Sequence, residues 1–98
     1  MPTNWPEQLR NITQHPETVS DAVHRLMNVL DNEHKLVIAM MQEDDLINLH
    51  FSLGIEIRNA FGLHDQDSPL LKSLGYFVHP DDVSMVIINA LWKKLTQG

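Results

Sequence analysis

Residues 49–63 read LHFSLGIEIRNAFGL and carry the densest pattern of apolar and polar residues in the chain. Its large apolar side chains recur every three or four residues, as they do along one face of a helix. The spacing predicts a helix from about Asp45 to Phe61, with Gly62 ending it. Gly54 inside that helix costs about 1 kcal/mol relative to alanine. We therefore expect another helix to approach closely over Gly54, so that an alanine there destabilises the protein.

Two helices are predicted upstream of this stretch. Thr18 followed by Asp21 resembles a capping box, which marks the start of the first helix. Asp31 suits the N-cap of a second helix that reaches about Met41. Apolar residues crowd positions 36–41 and form a wide stripe. That stripe predicts a central, buried position for the second helix.

Two more helices are predicted downstream. A short helix covers Pro69–Leu74 with Ser68 before it, and Pro80 opens the last helix of the chain. The expected fold is all-α, a compact irregular bundle of four to five helices. We assign residues 17–98 to a single helical domain and the proline-containing residues 1–16 to an N-terminal arm.

Composition narrows the classes of function. The chain has 98 residues, 43% of them hydrophobic, with a formal net charge of -6 and no cysteine. It lacks the apolar run of roughly 18 residues that a membrane span needs, and its acidity disfavours nucleic acid as a partner. Without cysteine, disulfides, thiolate metal sites and a cysteine nucleophile are excluded. We expect a cytoplasmic protein that binds neither membrane nor nucleic acid.

Polar residues cluster on one face of the third predicted helix. His50, Gly54 and Arg58 follow one another at four-residue spacing and share that face. A cation so close to apolar residues needs an anionic partner, which we expect to be Asp82 or, failing that, Asp81. The predicted structural polar clamp comprises His50, Arg58, Asn59, Asp81, Asp82 and Ser84.

The same residues could instead form a polar binding face or, as a weaker alternative, a catalytic site. An arginine–carboxylate pair without a neighbouring nucleophile is better suited to fixing the packing of two helices than to catalysing a reaction. The sequence therefore favours the structural role.

Three motifs resemble an uncharacterised family of short bacterial proteins. They are L-H-F-x-L-G-x-x-I-R-N-x-F-G-L, then S-x-L-L, then H-P-D-D-x-S-x-x-I-I-x-x-L-W, and they span about Asp45 to Trp92. One departure is His64, where members of the family often have tryptophan. The resemblance implies no established activity, but small acidic helical proteins of this kind sometimes serve as immunity proteins that neutralise a toxin.

Neither a metal site nor a cofactor site is predicted. Two loops carry potential nitrogen and oxygen ligands, namely His64, Asp65 and Asp67 in one and His79, Asp81 and Asp82 in the other. No His-x-x-x-His or Glu-x-x-His pair accompanies them. The sequence also lacks a glycine-rich phosphate loop and a nucleophile elbow. We expect no metal, no cofactor and no enzymatic activity.

The expected function is non-enzymatic binding of a protein. In its sharper form the domain is an immunity- or antitoxin-like inhibitor whose acidic surface covers a basic site on a toxin. A helical adaptor or structural module is the alternative, and a small hydrolase comes third. The residues expected to bind the partner are Glu43, Asp44, Asp45, Asp65 and Asp67.

Overall fold

The computed structural model describes residues 16–63, 65, 68–74 and 79–97. Helices alone make up the regular structure of these residues, which confirms the all-α prediction. The predicted N-terminal arm lies outside them apart from Pro16, which is buried. The elements are α1 (Val19–Val29), α2 (Asn32–Ala39), a 3₁₀ helix (Glu43–Leu49), α3 (Leu53–Ala60), α4 (Pro69–Leu74) and α5 (Pro80–Gln97).

The first two helices begin at the caps that the sequence predicts. The Thr18 hydroxyl accepts a hydrogen bond from the backbone N–H of Asp21 at 3.0 Å. The Asp31 carboxylate accepts one from the N–H of His34 at 2.9 Å. Each cap satisfies a helix-terminal N–H that has no partner inside the helix. These starts depend on local chemistry alone, and they are confirmed.

The third predicted helix is two elements rather than one. Residues 50–52 form a turn between the 3₁₀ helix and α3, so the continuous helix from Asp45 to Phe61 is wrong. At this turn the Leu49 carbonyl accepts a hydrogen bond from the N–H of Ser52 at 3.1 Å. The Ser52 hydroxyl also donates to that carbonyl. Spacing of apolar residues does not reveal this turn, because Leu46, Leu49 and Leu53 stay buried across it.

The last helix, α5, is the element around which the others assemble. It is 18 residues long and packs against α1, α2, the 3₁₀ helix and α3. Its buried positions recur at helical spacing, and the Trp92 indole donates a hydrogen bond to the Met41 carbonyl at 2.8 Å. The core therefore lies along α5. The side chains that α5 buries are those of Val83, Ser84, Ile87, Ile88 and Leu91.

The second helix is peripheral, contrary to the prediction. Leu36 is 59% exposed and Met40 is 76% exposed, whereas His34 and Ile38 are buried. The two buried positions are four residues apart and form a narrow inward face on α2. Because the longer α5 takes the centre of the bundle, the wide apolar stripe of α2 is only partly covered.

None of the described helices combines the length and the apolarity that crossing a bilayer requires.

The Asp31 cap predicts a pH-dependent contribution to stability. Hydrogen bonds from the His34 backbone N–H and then its ring hold the pKa of the Asp31 carboxyl below its usual value. The Asp31 oxygen lies 2.6 Å from His34 Nδ1. A lowered folded-state pKa stabilises the protein above the unfolded-state pKa, and this contribution disappears as the pH falls through the folded-state pKa.

Asp31→Asn should therefore lower the free energy of unfolding at about pH 7, and the deficit should shrink as the pH falls to about 3. Urea denaturation across this range measures it. Glu33→Gln is the matched control, since it removes the same charge from the same helical turn and leaves the His34 contacts in place. A deficit that stays constant with pH would contradict the prediction.

Candidate functional site

A buried guanidinium group joins three parts of the fold. Arg58 lies in the last turn of α3 and is only 6% exposed. Its Nη1 atom is 3.2 Å from Asp81 Oδ1 and donates a hydrogen bond to the Ser84 hydroxyl at 3.3 Å. Its Nη2 atom donates to the backbone carbonyl of His50 at 3.4 Å. The buried charge is thus neutralised by α5 and hydrogen-bonded to the turn before α3.

The acid that pairs with Arg58 is Asp81 and not Asp82. Asp81 and Ser84 are three residues apart and share one face of α5, and the Ser84 hydroxyl donates to the Asp81 carbonyl at 2.8 Å. Asp82 is exposed, as is Asn59 on α3. Neither residue joins the others through a hydrogen bond or ion pair in the described part of the chain. The Arg58 cluster therefore consists of His50, Arg58, Asp81 and Ser84.

Two histidines flank the Asp81 carboxylate. Its Oδ2 atom lies 3.9 Å from His50 Nε2 and 3.9 Å from His79 Nδ1. The Asp81 backbone N–H donates to His79 Nδ1 at 3.1 Å, so His79 also caps the start of α5. The carboxylate side chain is 44% exposed, which leaves water access to one side of the cluster.

Gly54 lies where α3 meets α5, as its position in the helix predicts. A Cβ atom at this position would sit 3.4 Å from the Leu49 carbonyl oxygen. It would sit 3.6 Å from Arg58 Nη1 and 3.6 Å from Ser84 Oγ. These are ordinary van der Waals distances, so the contact admits a methyl group. The expectation that alanine would destabilise the protein does not follow from this geometry.

The Arg58 cluster also supports an exposed aromatic ring. The His50 and Phe51 rings meet edge to face, with centroids 4.8 Å apart at 87°. His50 is tied to Arg58 through its carbonyl, and its Nδ1 atom is buried without a hydrogen-bond partner among the described residues. Phe51 itself is 80% exposed. In a continuous helix Phe51 would lie beside the buried apolar stripe, and the turn that exposes it leaves no mark on the apolar spacing.

Three of the predicted partner-binding acids lie just before this turn. Glu43, Asp44 and Asp45 form the first turn of the 3₁₀ helix, and all three are exposed. On the same element Ile47 is 60% exposed. Asp65 is exposed in the segment after α3, whereas Asp67 and His64 lie outside the described residues.

The polar groups of the Arg58 cluster are suited to holding neighbouring elements in a fixed orientation. The Ser84 hydroxyl donates its proton to the Asp81 backbone carbonyl, and the guanidinium is shared among three acceptors. Among the described residues, no group of three histidine, aspartate or glutamate side chains is placed to hold a metal ion. What the arrangement can do is orient α3, α5 and the Phe51 turn relative to one another.

The Arg58–Asp81 ion pair yields a first test at this site. Asp81→Ala should lower the free energy of unfolding by about 2 kcal/mol, because it leaves a buried guanidinium without its carboxylate. Asp82→Ala is the matched control, since it removes an exposed acid from the same helical turn, and its effect should stay within about 0.5 kcal/mol. Urea denaturation gives both values. A double-mutant cycle of Arg58→Met with Asp81→Asn should show coupling, and additive effects would reject the pairing.

The Gly54 contact yields a second test. Gly54→Ala should leave stability unchanged or raise it by up to about 1 kcal/mol, because helix propensity improves and the methyl group fits. Gly54→Val should cost more than about 2 kcal/mol, because its γ-carbons would overlap the Arg58 and Ser84 groups. Alanine and valine at exposed Asn59 measure intrinsic helix propensity, and the free energies of unfolding of these two variants should differ by less than about 1 kcal/mol. Equal tolerance of valine at both positions would show that α5 does not close over Gly54.

Comparison with known proteins adds a family. No curated protein and no solved structure matches the chain. A family model described as a domain of unknown function, DUF6794, matches residues 15–95. The match covers every element described above except the last two residues of α5, and it extends well upstream of the motifs at residues 45–92. The chain therefore belongs to the DUF6794 family of uncharacterised domains.

Proposed function

We propose that this domain is a non-enzymatic protein-binding module that contacts its partner through Phe51 and the acidic 3₁₀ helix. The observation that carries the proposal is the 80% exposure of Phe51 on a turn whose His50 carbonyl accepts a hydrogen bond from the buried Arg58 guanidinium. An aromatic side chain left in water on a rigid support is typical of an interface anchor.

An ordered turn lowers the entropic cost of binding through Phe51. A flexible exposed side chain loses conformational entropy when it binds, and that loss weakens the complex. Here the turn carbonyl is hydrogen-bonded to Arg58, and the His50 ring lies against the edge of Phe51. Because the support is already ordered, burying Phe51 in a partner would gain apolar contact at little entropic cost.

The neighbouring charges indicate the chemistry of the partner. Glu43, Asp44 and Asp45 form the first turn of the 3₁₀ helix, which also carries exposed Ile47 and leads into the Phe51 turn. Exposed carboxylates around apolar anchors favour a partner whose surface is basic around an apolar pocket. Their attraction would mainly accelerate association and exclude acidic partners.

In its finer form the proposal is an immunity- or antitoxin-like inhibitor that covers a basic site on a toxin. The net charge of -6 on 98 residues supports this class. Toxins that act on nucleic acids carry basic active sites, because those sites must attract phosphates. A small acidic domain with a rigid aromatic anchor could occlude such a site.

Capture from a lysate of the native cells tests the coarse proposal. Wild-type protein, Phe51→Ala and Leu36→Ala are immobilised in parallel, and the bound proteins are identified by mass spectrometry. Leu36 is the matched control because it is another large apolar side chain, 59% exposed on α2. We expect a partner that is retained by the wild type and by Leu36→Ala and lost with Phe51→Ala.

Measurements on the purified partner complete the test. Phe51→Ala should weaken affinity by about 2 kcal/mol, roughly 30-fold, with little change in the stability of the domain itself. Reversing Glu43 and Asp44 to lysine should slow association, and the effect should fade at high salt. Equal capture by all three proteins would reject Phe51 as the anchor. If the domain binds its partner without inhibiting it, the proposal of a binding module stands and the proposal of a toxin inhibitor is rejected.

A further inference from the structure

A second surface, separate from the Phe51 turn, lies between α1 and the C-terminal half of α5. The two helices border an open groove of about 810 Å³. Its floor is apolar and comprises Val19, Val23, Met27 and Ala90, and its rim includes His24, Lys93 and Lys94. None of these residues belongs to the Arg58 cluster or to the acidic 3₁₀ helix.

The floor of the groove has the spacing of a helix-binding surface. Val19, Val23 and Met27 follow one another at four-residue intervals and form a straight apolar row on α1. With a rise of 1.5 Å per residue, this row is about 12 Å long, the length of roughly two turns of a docked helix. Val19, Met27 and Ala90 remain half-buried, whereas Val23 between them is buried, and α1 buries Ala22 and Leu26 completely. The two ends of the row are therefore apolar surface that the described residues leave partly uncovered.

The charge of the rim is opposite to that of the whole protein. His24, Lys93 and Lys94 are the titratable residues among those that line the groove, and no carboxylate lines it within the described part of the chain. Both lysines are exposed, and neither forms an ion pair with a described residue. Lysines near the C-terminus of α5 also favour its dipole. The dipole explains neither the partly uncovered row nor a rim without acids on a chain of net charge -6.

We propose that this groove docks an amphipathic helix of a partner protein, with an apolar stripe facing the α1 row and acidic side chains beside the lysines. An apolar row bordered by charged residues is the surface that a helix-in-groove complex uses. Charge complementarity selects an acidic helix. The groove is open along its length, which suits a helix better than an enclosed small molecule.

The probe is a synthetic, end-capped peptide of roughly 14 residues, with leucines at helical a and d spacing and glutamates at the other positions. A peptide with lysine in place of every glutamate is its counterpart. Fluorescence anisotropy measures the affinity of each labelled peptide for the full chain. Chemical-shift mapping on isotope-labelled protein locates the bound peptide.

Two double variants distinguish binding in the groove from general electrostatic attraction to the protein. Lys93→Glu with Lys94→Glu reverses the rim. Lys35→Glu with Lys72→Glu makes the same change in net charge on α2 and α4, outside the groove. We expect the glutamate peptide to bind, with shifts confined to α1 and the end of α5. Reversing the charge of the rim should weaken the affinity for this peptide about tenfold or more, whereas the control pair should change it less than about threefold.

Phe51→Ala should leave peptide affinity unchanged, which distinguishes this site from the Phe51 surface. The proposal is overturned if the glutamate peptide does not bind, if its shifts lie outside α1 and α5, or if both double variants weaken it equally. Preferential binding of the lysine peptide would also overturn it. If a fatty carboxylate such as laurate shifts the groove residues and the peptide does not, the occupant is a small amphipathic acid and the helix proposal is wrong.

Discussion

A buried guanidinium is the constraint on which this fold depends. Arg58 is removed from water by the packing of α3 against α5, and a cation in that position must find acceptors nearby. It finds a carboxylate and a hydroxyl on α5 and a carbonyl in the turn before α3. Apolar contacts alone would allow the two helices to rotate or slide, because such contacts have little direction. The guanidinium geometry specifies one arrangement.

This requirement explains several features that look unrelated in the sequence. Gly54 lies at this contact, where a Cβ atom would sit 3.6 Å from both Arg58 Nη1 and Ser84 Oγ. The turn at residues 50–52 directs the His50 carbonyl toward the guanidinium and directs Phe51 outward. An exposed aromatic ring is thus a consequence of the same interaction that orders the core. The buried Arg58 guanidinium donates a hydrogen bond to the His50 carbonyl of this turn, and that contact is the geometric basis for proposing the Phe51 surface as an interface.

The domain also separates its surface charge. The chain has 13 acidic residues against seven lysines and arginines, and three of the acids open the 3₁₀ helix, while the groove between α1 and α5 is bordered by lysines. Both regions combine charge with apolar side chains that the fold leaves exposed or half-covered. Two surfaces of opposite charge on different elements would let a single small domain bind two partners of different chemistry. The α5 helix links them, because its first turn pairs with Arg58 and its last turns form one wall of the groove.

Local sequence predicts the all-α class, the caps at Thr18 and Asp31, and the bounds of the short helix Pro69–Leu74, because caps and apolar spacing act within a few residues. It also identified Arg58 as a cation in need of an acid. Other features depend on contacts between residues that are far apart in the sequence, and they are seen only in the tertiary structure. It selected Asp81 over Asp82, since only one of two adjacent residues on α5 can face α3. The third predicted helix is interrupted by a turn at residues 50–52. Helix α2 lies at the periphery because the longer α5 occupies the centre.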